Sequence, residues 1–443
     1  MRALFLLLDF ISFFATISWV VILRYQDFSP SVLVPTIQVL MPVFCLVTLI
    51  LWVFSFYDIN TIKKQRLNYQ NILVAFTISL LSSGFGIYYT TSFFNVATSK
   101  LILLSVFVVY FSYLYLSRKI YASYAFVRQK ILLVGQSETL KAIEKDLAFY
   151  KEYVIAGRCA TAQEALGPDT PLPDLMIMAH NCLEKAPQAW PLILEKLICK
   201  GVLLETDYQF YERLFNRCSA EALQNPHWLV QSLSQRQSRT IFPLVKRAID
   251  IGFSLVLIPL FFPLGLCIYG LIKYTDKMPP FFPQVRMGRN DRRICIYKFR
   301  TMKPHTQEVT RLGAFLRRFR LDEIPQLINI LRGDISIVGP RPVWDREYQF
   351  LNEHIYCHRI RNIIQPGLTG WAQLNFKAPP TYCVLADLDK DKKIPQEKLQ
   401  DAVLRLAYDL WYIKNRSLFL DVEIILKTAK RAFLKDKHIG KNS

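Results

Sequence analysis

The chain has 443 residues, with 55 lysines and arginines against 35 acidic residues, a formal net charge of +20. Hydrophobic residues make up 52% of it, which excludes a long disordered chain, and the length allows several folded domains. The charge indicates an anionic partner, and the hydrophobicity favours a membrane surface over nucleic acid. The nine cysteines form no C-x-x-C pair, so neither a cysteine zinc site nor a disulfide framework is expected, and the soluble parts are predicted to face a reducing cytoplasm.

Four apolar stretches begin the chain, at residues 3–23, 31–57, 72–99 and 101–117. About 20 apolar residues suffice for a helix to cross a bilayer. The pattern predicts three or four transmembrane helices, four being preferred, in a bundle domain over residues 1–120. Basic residues concentrate at 63–66 and 118–130, so both ends of the bundle are predicted to be cytoplasmic. Asp9 is expected to face the bundle interior rather than to form an ion pathway.

Residues 121–237 show short apolar runs that alternate with helical segments. The pattern predicts strands at 131–135, 153–157, 175–179 and 202–205, and helices at 138–150 and 186–199. Such alternation is typical of a parallel α/β sheet, here a Rossmann-like domain. The loop after the first strand reads Gly135-Gln-Ser-Glu-Thr and lacks G-x-G-x-x-G, so a structural or regulatory role is favoured over nucleotide binding. Residues 207–237 are predicted to form a polar connector.

A further apolar stretch, residues 251–272, carries no charge but contains Pro259 and Pro263. Proline removes a helical hydrogen bond and favours a kink. Residues 273–320 hold 13 lysines and arginines but three acids, and a spanning helix would place them outside. The positive-inside tendency therefore predicts a bent, re-entrant helix at about 247–272 that returns to the cytoplasmic face, with an ordinary fifth span as the alternative.

The last third of the chain contains an acid pair, Asp322-Glu323, just before an apolar-periodic stretch. Pro325 is acceptable only in the first helical turn, so both carboxylates are predicted near a helix N-terminus. The positive end of the helix dipole would keep them ionised and would also attract phosphate. On its own, such a pair is often only a favourable helix charge.

The surroundings of the acid pair are cationic. Lys298, Arg300 and Arg317 precede it, and Arg341 follows in a rigid Pro-Arg-Pro turn suited to bidentate phosphate contact. A basic face that touches anionic lipid is the alternative for any one arginine. Together, phosphate-binding groups, two carboxylates and a membrane surface favour phosphoryl transfer between a soluble donor and a lipid. No Walker A or kinase motif is present, so ATP is a poor candidate donor.

Several blocks of residues 238–443 carry a family resemblance. They resemble the bacterial polyisoprenyl-phosphate hexose-1-phosphate transferases, and the bundle and α/β domain resemble the additions of that family's long subgroup. The matching blocks are Lys246-Arg-x-x-Asp250, Gln284-x-Arg-x-Gly288, Lys298-Phe-Arg-Thr-Met302, Leu321-Asp-Glu-Ile-Pro-Gln326, Val338-Gly-Pro-Arg-Pro342, Pro366-Gly-Leu-Thr-Gly-Trp-Ala-Gln373 and Tyr408-Asp-Leu-Trp-Tyr-Ile-Lys-Asn415 with Leu420-Asp421. The resemblance implies a mainly helical, monotopic catalytic domain in a multi-pass protein of the bacterial inner membrane.

The resemblance also implies a reaction and a set of roles. Asp322 would attack the diphosphate of a UDP-sugar and release UMP, Glu323 and Asp322 would hold Mg²⁺, and undecaprenyl phosphate would then accept the sugar phosphate. Exopolysaccharide, capsule or O-antigen synthesis would begin with this step. Inner-membrane lipids and a second copy of the chain are the further partners implied. The implied substrate-binding residues are Lys298, Arg300, Arg317, Pro340, Arg341, Pro342, Gln284, Arg286, Gln373 and Asp421.

The chain departs from the family pattern at the bend of the hairpin. The family has Ser-Pro where this chain has Phe262-Pro263, and Pro259 is expected to compensate. Residues 396–413 are predicted as a helix that lies on the membrane with the basic tail, and Asp421 either serves the site or closes a salt bridge. The rival functions are a glycosyltransferase that releases UDP and a membrane-bound nucleotide-sensing scaffold. Glucose and galactose are the default sugars.

Overall fold

A computed structural model describes residues 2–25, 30–53, 56, 100–124, 128–150, 152–161, 164, 173–185, 195, 197, 199–234, 241–303, 308–376 and 396–433. The chain divides into two compact units. One comprises Met1–Ile131 and Asp146–Ala156, and the other comprises Leu132–Lys145 and Gly157–Ser443.

The first unit contains three long helices, α1 (Arg2–Tyr25), α2 (Pro30–Val53) and α3 (Lys100–Tyr124). They coincide with three of the four predicted spans, and the span predicted at 72–99 lies outside the described residues. Phe13 lies at their centre, with its ring centroid 4.5 Å from that of Phe44 and 5.5 Å from that of Tyr110. The four-helix membrane bundle stays a prediction.

Asp9 of α1 faces inward, as predicted from the sequence. Its two carboxylate oxygens accept hydrogen bonds from Arg118 of α3 at 2.7 and 2.6 Å, and both side chains are buried. A charge removed from water is tolerated only when it is paired and hydrogen-bonded. The bidentate contact therefore explains how an acid is accommodated in an apolar helix.

The α/β region forms one four-stranded sheet in the order β2-β1-β3-β4. Strands β3 and β4 pair in parallel, with Met178 opposite Thr206. The apolar runs of β1 and β3 are buried, which is typical of a sheet covered on both faces. This confirms a parallel α/β region, and the predicted helix at 186–199 lies largely outside the described residues. Its elements are β1 (Gln129–Val134), α4 (Glu138–Leu147), β2 (Tyr153–Cys159), β3 (Leu175–Met178), α5 (His180–Lys185) and β4 (Leu203–Thr206).

The segment predicted as a polar connector is largely helical. It contains α6 (Asp207–Phe215) and α7 (Pro226–Ser234), with a 3₁₀ turn between them at Ala222–Gln224. A capping box between Thr206 and Gln209 begins α6. Apolar side chains of this segment pack into the largest core, which is formed mainly by residues after 290: Cys218, Leu223 and Leu229.

The apolar stretch with two prolines forms the long helix α8 (Ile241–Leu271), which continues as a π-helical turn at Ile272–Asp276. Pro259 and Pro263 lie inside α8. By length and composition, Phe242–Asp276 is the one helix of the described residues that is long and apolar enough to cross a membrane. Its middle exposes large apolar side chains, namely Leu255, Val256, Leu260, Phe262 and Leu266.

Both ends of α8 contact the same folded unit. Near the start, Arg247 donates hydrogen bonds to the carbonyl oxygens of Ile330 and Leu331 at 2.5 and 2.6 Å. At the other end, apolar side chains of Ile268 and Ile272 form a buried cluster with Phe299 and Leu316. The exposed middle of α8 thus lies between two anchored ends.

The rest of the chain combines short strands with helices around the largest core. Strands β5 and β6 form an antiparallel hairpin, and β7 pairs in parallel with β8. Ala402, Leu406 and Leu410 of α13 are buried in this core, so one face of the predicted helix packs on protein, and its contact with a membrane stays a prediction. The elements are β5 (Phe281–Met287), β6 (Arg293–Phe299), α9 (Arg311–Arg318), α10 (Gln326–Arg332), β7 (Ser336–Val338), α11 (Asp345–His354), β8 (Gly367–Thr369), α12 (Trp371–Asn375), α13 (Gln396–Asn415) and α14 (Leu418–Phe433).

Candidate active site

The acid pair lies in a short 3₁₀ turn, Leu321–Glu323, that leads into α10. Arg320 begins this turn in the left-handed region, with φ at +56°, and redirects the backbone after α9. Pro325 immediately precedes α10, where its missing N–H costs no hydrogen bond. Asp322 and Glu323 are each 9% exposed, so both carboxylates are buried near a helix start, as predicted.

Three cationic side chains surround Glu323. Lys298 of β6 donates to its Oε1 at 3.1 Å, Arg320 lies 3.6 Å from its Oε2, and Arg341 lies 4.0 Å from Oε1. The sequence predicted Lys298 and Arg341 as site residues but missed Arg320. Its basic neighbours in the sequence were equally plausible, and the left-handed turn that directs Arg320 to Glu323 has no signal in the residue pattern.

The two adjacent carboxyl groups have opposite pKa shifts. Burial opposes ionisation of Glu323, but Lys298, Arg341 and Arg320 outweigh it and hold its pKa below the ordinary value. Burial and the neighbouring Glu323 raise the pKa of Asp322, against the smaller effects of Lys298 and Arg317. Within the described part of the chain, Asp322 forms no salt bridge. Glu323 is therefore held in an ion-pair network, whereas Asp322 belongs to no ion pair among the described residues.

The Pro-Arg-Pro turn is held by close backbone packing and by two other arginines. The carbonyl of Pro340 accepts from the N–H of Gly367 at 2.8 Å, and the carbonyl of Pro342 accepts from Arg286 at 3.3 Å. Arg286 in turn donates to the side chain of Gln284 at 2.6 Å. The predicted residues Gln284 and Arg286 therefore support the turn that carries Arg341.

A buried ion pair that the sequence did not reveal also supports Arg341. Arg361 donates to the carbonyl oxygen of Arg341 at 2.9 Å and lies 2.7 Å from Asp409 of α13. Burial raises the pKa of Asp409, and the charges of Arg361 and Arg405 oppose this shift. Both partners are at most 3% exposed, so the pair is a rigid brace behind the turn.

Other predicted site residues have separate contacts. Arg300 donates to the carbonyl of Pro279 at 3.0 Å, and Arg317 donates to Thr301 at 2.8 Å. The carbonyl of Gln373 accepts from Arg431 at 3.1 Å. Asp421 accepts from Lys246 at 2.5 Å and from Tyr412 at 2.6 Å, so it closes a salt bridge between α14 and α8.

Known proteins resemble the part of the chain that contains this site. Residues 241–435 match the bacterial sugar transferase family. An exopolysaccharide production protein, PSS, of Rhizobium leguminosarum is 35% identical over 201 residues, which cover 42% of this chain and 93% of that protein. The chain belongs to the bacterial sugar transferase family.

Two larger relatives match a similar share of the chain. The UDP-N-acetylgalactosamine-undecaprenyl-phosphate N-acetylgalactosaminephosphotransferase of Aeromonas hydrophila is 36% identical over 43% of this chain and 44% of its own length. The UDP-glucose:undecaprenyl-phosphate glucose-1-phosphate transferase of Escherichia coli (strain K12) is 33% identical over 43% of this chain and 40% of its own. The likeness to these two sugar transferases thus spans less than half of this chain and less than half of each relative.

Proposed function

We propose that the chain transfers a hexose-1-phosphate from a UDP-sugar to undecaprenyl phosphate and releases UMP. The observation that carries the proposal is the buried acid pair, in which three cations hold Glu323 and Asp322 stays outside any described ion pair. The names of the two larger relatives, which act on undecaprenyl phosphate, support the same reaction. The PSS likeness supports a role in exopolysaccharide synthesis, with capsule or O-antigen synthesis as further settings.

The reaction takes place in two displacements at one phosphorus atom. A carboxylate oxygen of Asp322 attacks the phosphorus that carries the sugar, and the P–O bond to UMP breaks. A phosphate oxygen of undecaprenyl phosphate then attacks the same phosphorus and releases Asp322. The covalent intermediate divides a difficult transfer into two steps, so UMP can leave before the lipid phosphate enters.

Lys298, Arg320 and Arg341 supply the positive charge for the donor. Their side chains are 18%, 45% and 37% exposed, so the latter two can reach an incoming diphosphate while still close to Glu323. Groups that are already in place stabilise the charge that develops on transferred phosphate oxygens without reorganisation. We assign these three residues to the donor phosphates, with Arg286 and Arg361 as positioning residues for Arg341.

The donor set fits Mg²⁺. Asp322 and Glu323 supply carboxylate oxygens from one turn, the ligand type that Mg²⁺ prefers, and a diphosphate supplies further oxygens. When bound, the ion would neutralise charge on the diphosphate. Glu323 is the main protein ligand in this proposal, because its pKa is held low and its carboxylate is ionised.

The membrane arrangement is also a proposal. Both ends of α8 contact one folded unit, which supports a re-entrant helix that enters and leaves on the cytoplasmic side rather than a fifth span. Residues 1–120 would form a four-helix bundle, 121–237 a Rossmann-like domain with its helical connector, and 238–443 the monotopic transferase domain. The whole would be a multi-pass inner-membrane protein in contact with membrane lipids, able to associate with a second copy.

The nucleotide product tests the proposed reaction. The purified chain is incubated with Mg²⁺, undecaprenyl phosphate and a panel of UDP-sugars that includes UDP-glucose and UDP-galactose. We expect UMP from one donor and no UMP from Asp322→Asn. Release of UDP would favour a glycosyltransferase instead. A sensing scaffold would be favoured if the wild type bound nucleotide but showed no turnover, and if Asp322→Asn bound nucleotide as well.

A further inference from the structure

A second polar cluster lies far along the chain from the acid pair, at the carboxyl ends of the sheet strands. Ser137 follows β1, His180 follows β3 and Asp207 follows β4, and Glu221 joins them from the turn after α6. The strand order β2-β1-β3-β4 means that the connections diverge between β1 and β3. In open α/β sheets, the crevice at such a switch point is the usual ligand site.

The glycine of the loop after β1 has no room for a side chain. A Cβ atom on Gly135 would lie 2.1 Å from the sulfur of Cys182. Beside this loop the crevice presents an imidazole and two carboxylates, which are ligand types for a metal ion.

Asp207 fixes the orientation of the His180 ring. Its Oδ2 accepts from the Ser137 hydroxyl at 2.6 Å and lies 3.2 Å from His180 Nδ1. Its Oδ1 accepts from two backbone N–H groups, those of His180 and Tyr208. The His180 ring also stacks on Tyr208, with centroids 4.3 Å apart. When the ring carries its hydrogen on Nδ1, facing Asp207, Nε2 is the nitrogen that can bind an ion.

Glu221 presents one oxygen to that nitrogen. Its Oε2 accepts from the backbone N–H and the hydroxyl of Thr139 at 2.9 and 2.8 Å. Its Oε1 lies 3.6 Å from His180 Nε2, beyond the length of a hydrogen bond. Two ligands of one tetrahedral zinc ion, each bound at about 2.0 to 2.1 Å, are about 3.3 Å apart. The distance between Nε2 and Oε1 is therefore close to the distance between two atoms that bind the same ion.

We propose that His180 Nε2 and Glu221 Oε1 bind a divalent metal ion of the zinc class. Asp207 is the carboxylate that orients a metal-binding histidine through its other nitrogen, and Ser137 and Thr139 hold the two carboxylates in turn. The side chains of His180 and Glu221 are 19% and 29% exposed, so water can complete the coordination.

The ion would stabilise the start of a helix that reaches the transferase core. Helix α6 begins at Asp207, and its Glu212 pairs with Lys414 of α13 at 2.9 Å. Metal binding should therefore raise the unfolding temperature of the whole chain, and the effect is independent of the proposed reaction.

The test measures zinc bound by the full-length protein in detergent, with Mg²⁺ in excess. We expect wild type to bind one more zinc ion per chain than His180→Gln or Glu221→Gln does. Zinc should also raise the unfolding temperature of wild type but not that of either variant. Glu221→Gln retains an oxygen for Thr139 and nearly the same shape, so it should fold. His227→Gln, at an exposed histidine, and Asp322→Asn are the controls and should bind as wild type does.

Zinc bound at cysteines elsewhere does not affect the difference between wild type and the variants, because all these proteins carry the same cysteines. Equal zinc content in wild type and Glu221→Gln, whether high or zero, would overturn the site. Loss of zinc from Asp322→Asn rather than from the cluster variants would also overturn it, since the ion would then belong to the catalytic turn.

Discussion

Burial of a neutral His358 should make the fold less stable in mild acid. His358 is 2% exposed, and its Nδ1 lies 2.9 Å from Oδ1 of Asn352. Burial, reinforced by the charges of Arg361 and Arg405, lowers its pKa from 6.5 to about 2. Arg361 supports the carbonyl of Arg341, so a charge on His358 would act against the brace behind the candidate site.

The magnitude follows from linkage between protonation and folding. The imidazole stays neutral in the folded state down to a pH of about 2, while in the unfolded chain it binds a proton below 6.5. Stability due to neutral His358 is therefore complete above 6.5 and declines as the pH falls through that value. Between about pH 7.5 and about pH 5.5, the expected loss is about 1.4 kcal/mol.

The assay compares unfolding of wild type and His358→Gln in detergent at these two pH values. Glutamine does not titrate, and its amide can still donate to Asn352. We expect the variant to lose about 1.4 kcal/mol less than wild type as the pH is lowered. His354→Gln, at an exposed histidine, should behave as wild type does. If wild type and His358→Gln lost the same stability, burial of a neutral His358 would be refuted.

Two further predictions concern the Pro-Arg-Pro turn and a close backbone contact. Arg341→Ala should lower kcat/KM for the sugar donor by about 10- to 100-fold, because it removes a contact of about 1.5 to 3 kcal/mol. Arg300→Ala is the control and should have a milder effect. Equal losses in the two variants would refute the assignment of Arg341. Gly313→Ala should lower stability by about 1 to 3 kcal/mol, because its Cβ would lie 2.1 Å from the Thr301 oxygen. Gly252→Ala, where a Cβ meets nothing within 4 Å, should unfold no earlier than wild type.

The elements that could be predicted are those whose signal lies within a few neighbouring residues. Strands β1 and β3 are continuous apolar runs, and the buried sheet requires such runs. The position of the acid pair before α10 followed from Pro325 and the apolar period after it. In each case, the local sequence and the tertiary structure favour the same secondary structure.

The core contacts of two helical segments were not predicted, because polar and apolar residues are mixed along them. Helix α13 carries charged residues on one face, yet Leu406 and Leu410 on the other are buried in the core. In the segment after β4, apolar residues are interspersed with polar ones, and Cys218 and Leu229 join the same core. Whether an amphipathic helix meets a membrane or a protein surface depends on partners elsewhere in the chain, and the helix's own sequence does not identify them.

The same reasoning explains why the site was predicted only in part. The sequence predicted both Arg300 and Arg341 as substrate-binding residues, and it placed Arg341 in a rigid turn suited to bidentate phosphate contact. In the fold, Arg300 bonds to the carbonyl of Pro279, whereas Arg341 lies 4.0 Å from Glu323. The difference arises from Arg361, which holds the backbone of Arg341 and is itself fixed by Asp409 of α13. The placement of one cation at the acid pair thus depends on a buried ion pair between two distant segments, so disrupting that pair should impair donor use even though neither residue contacts Glu323.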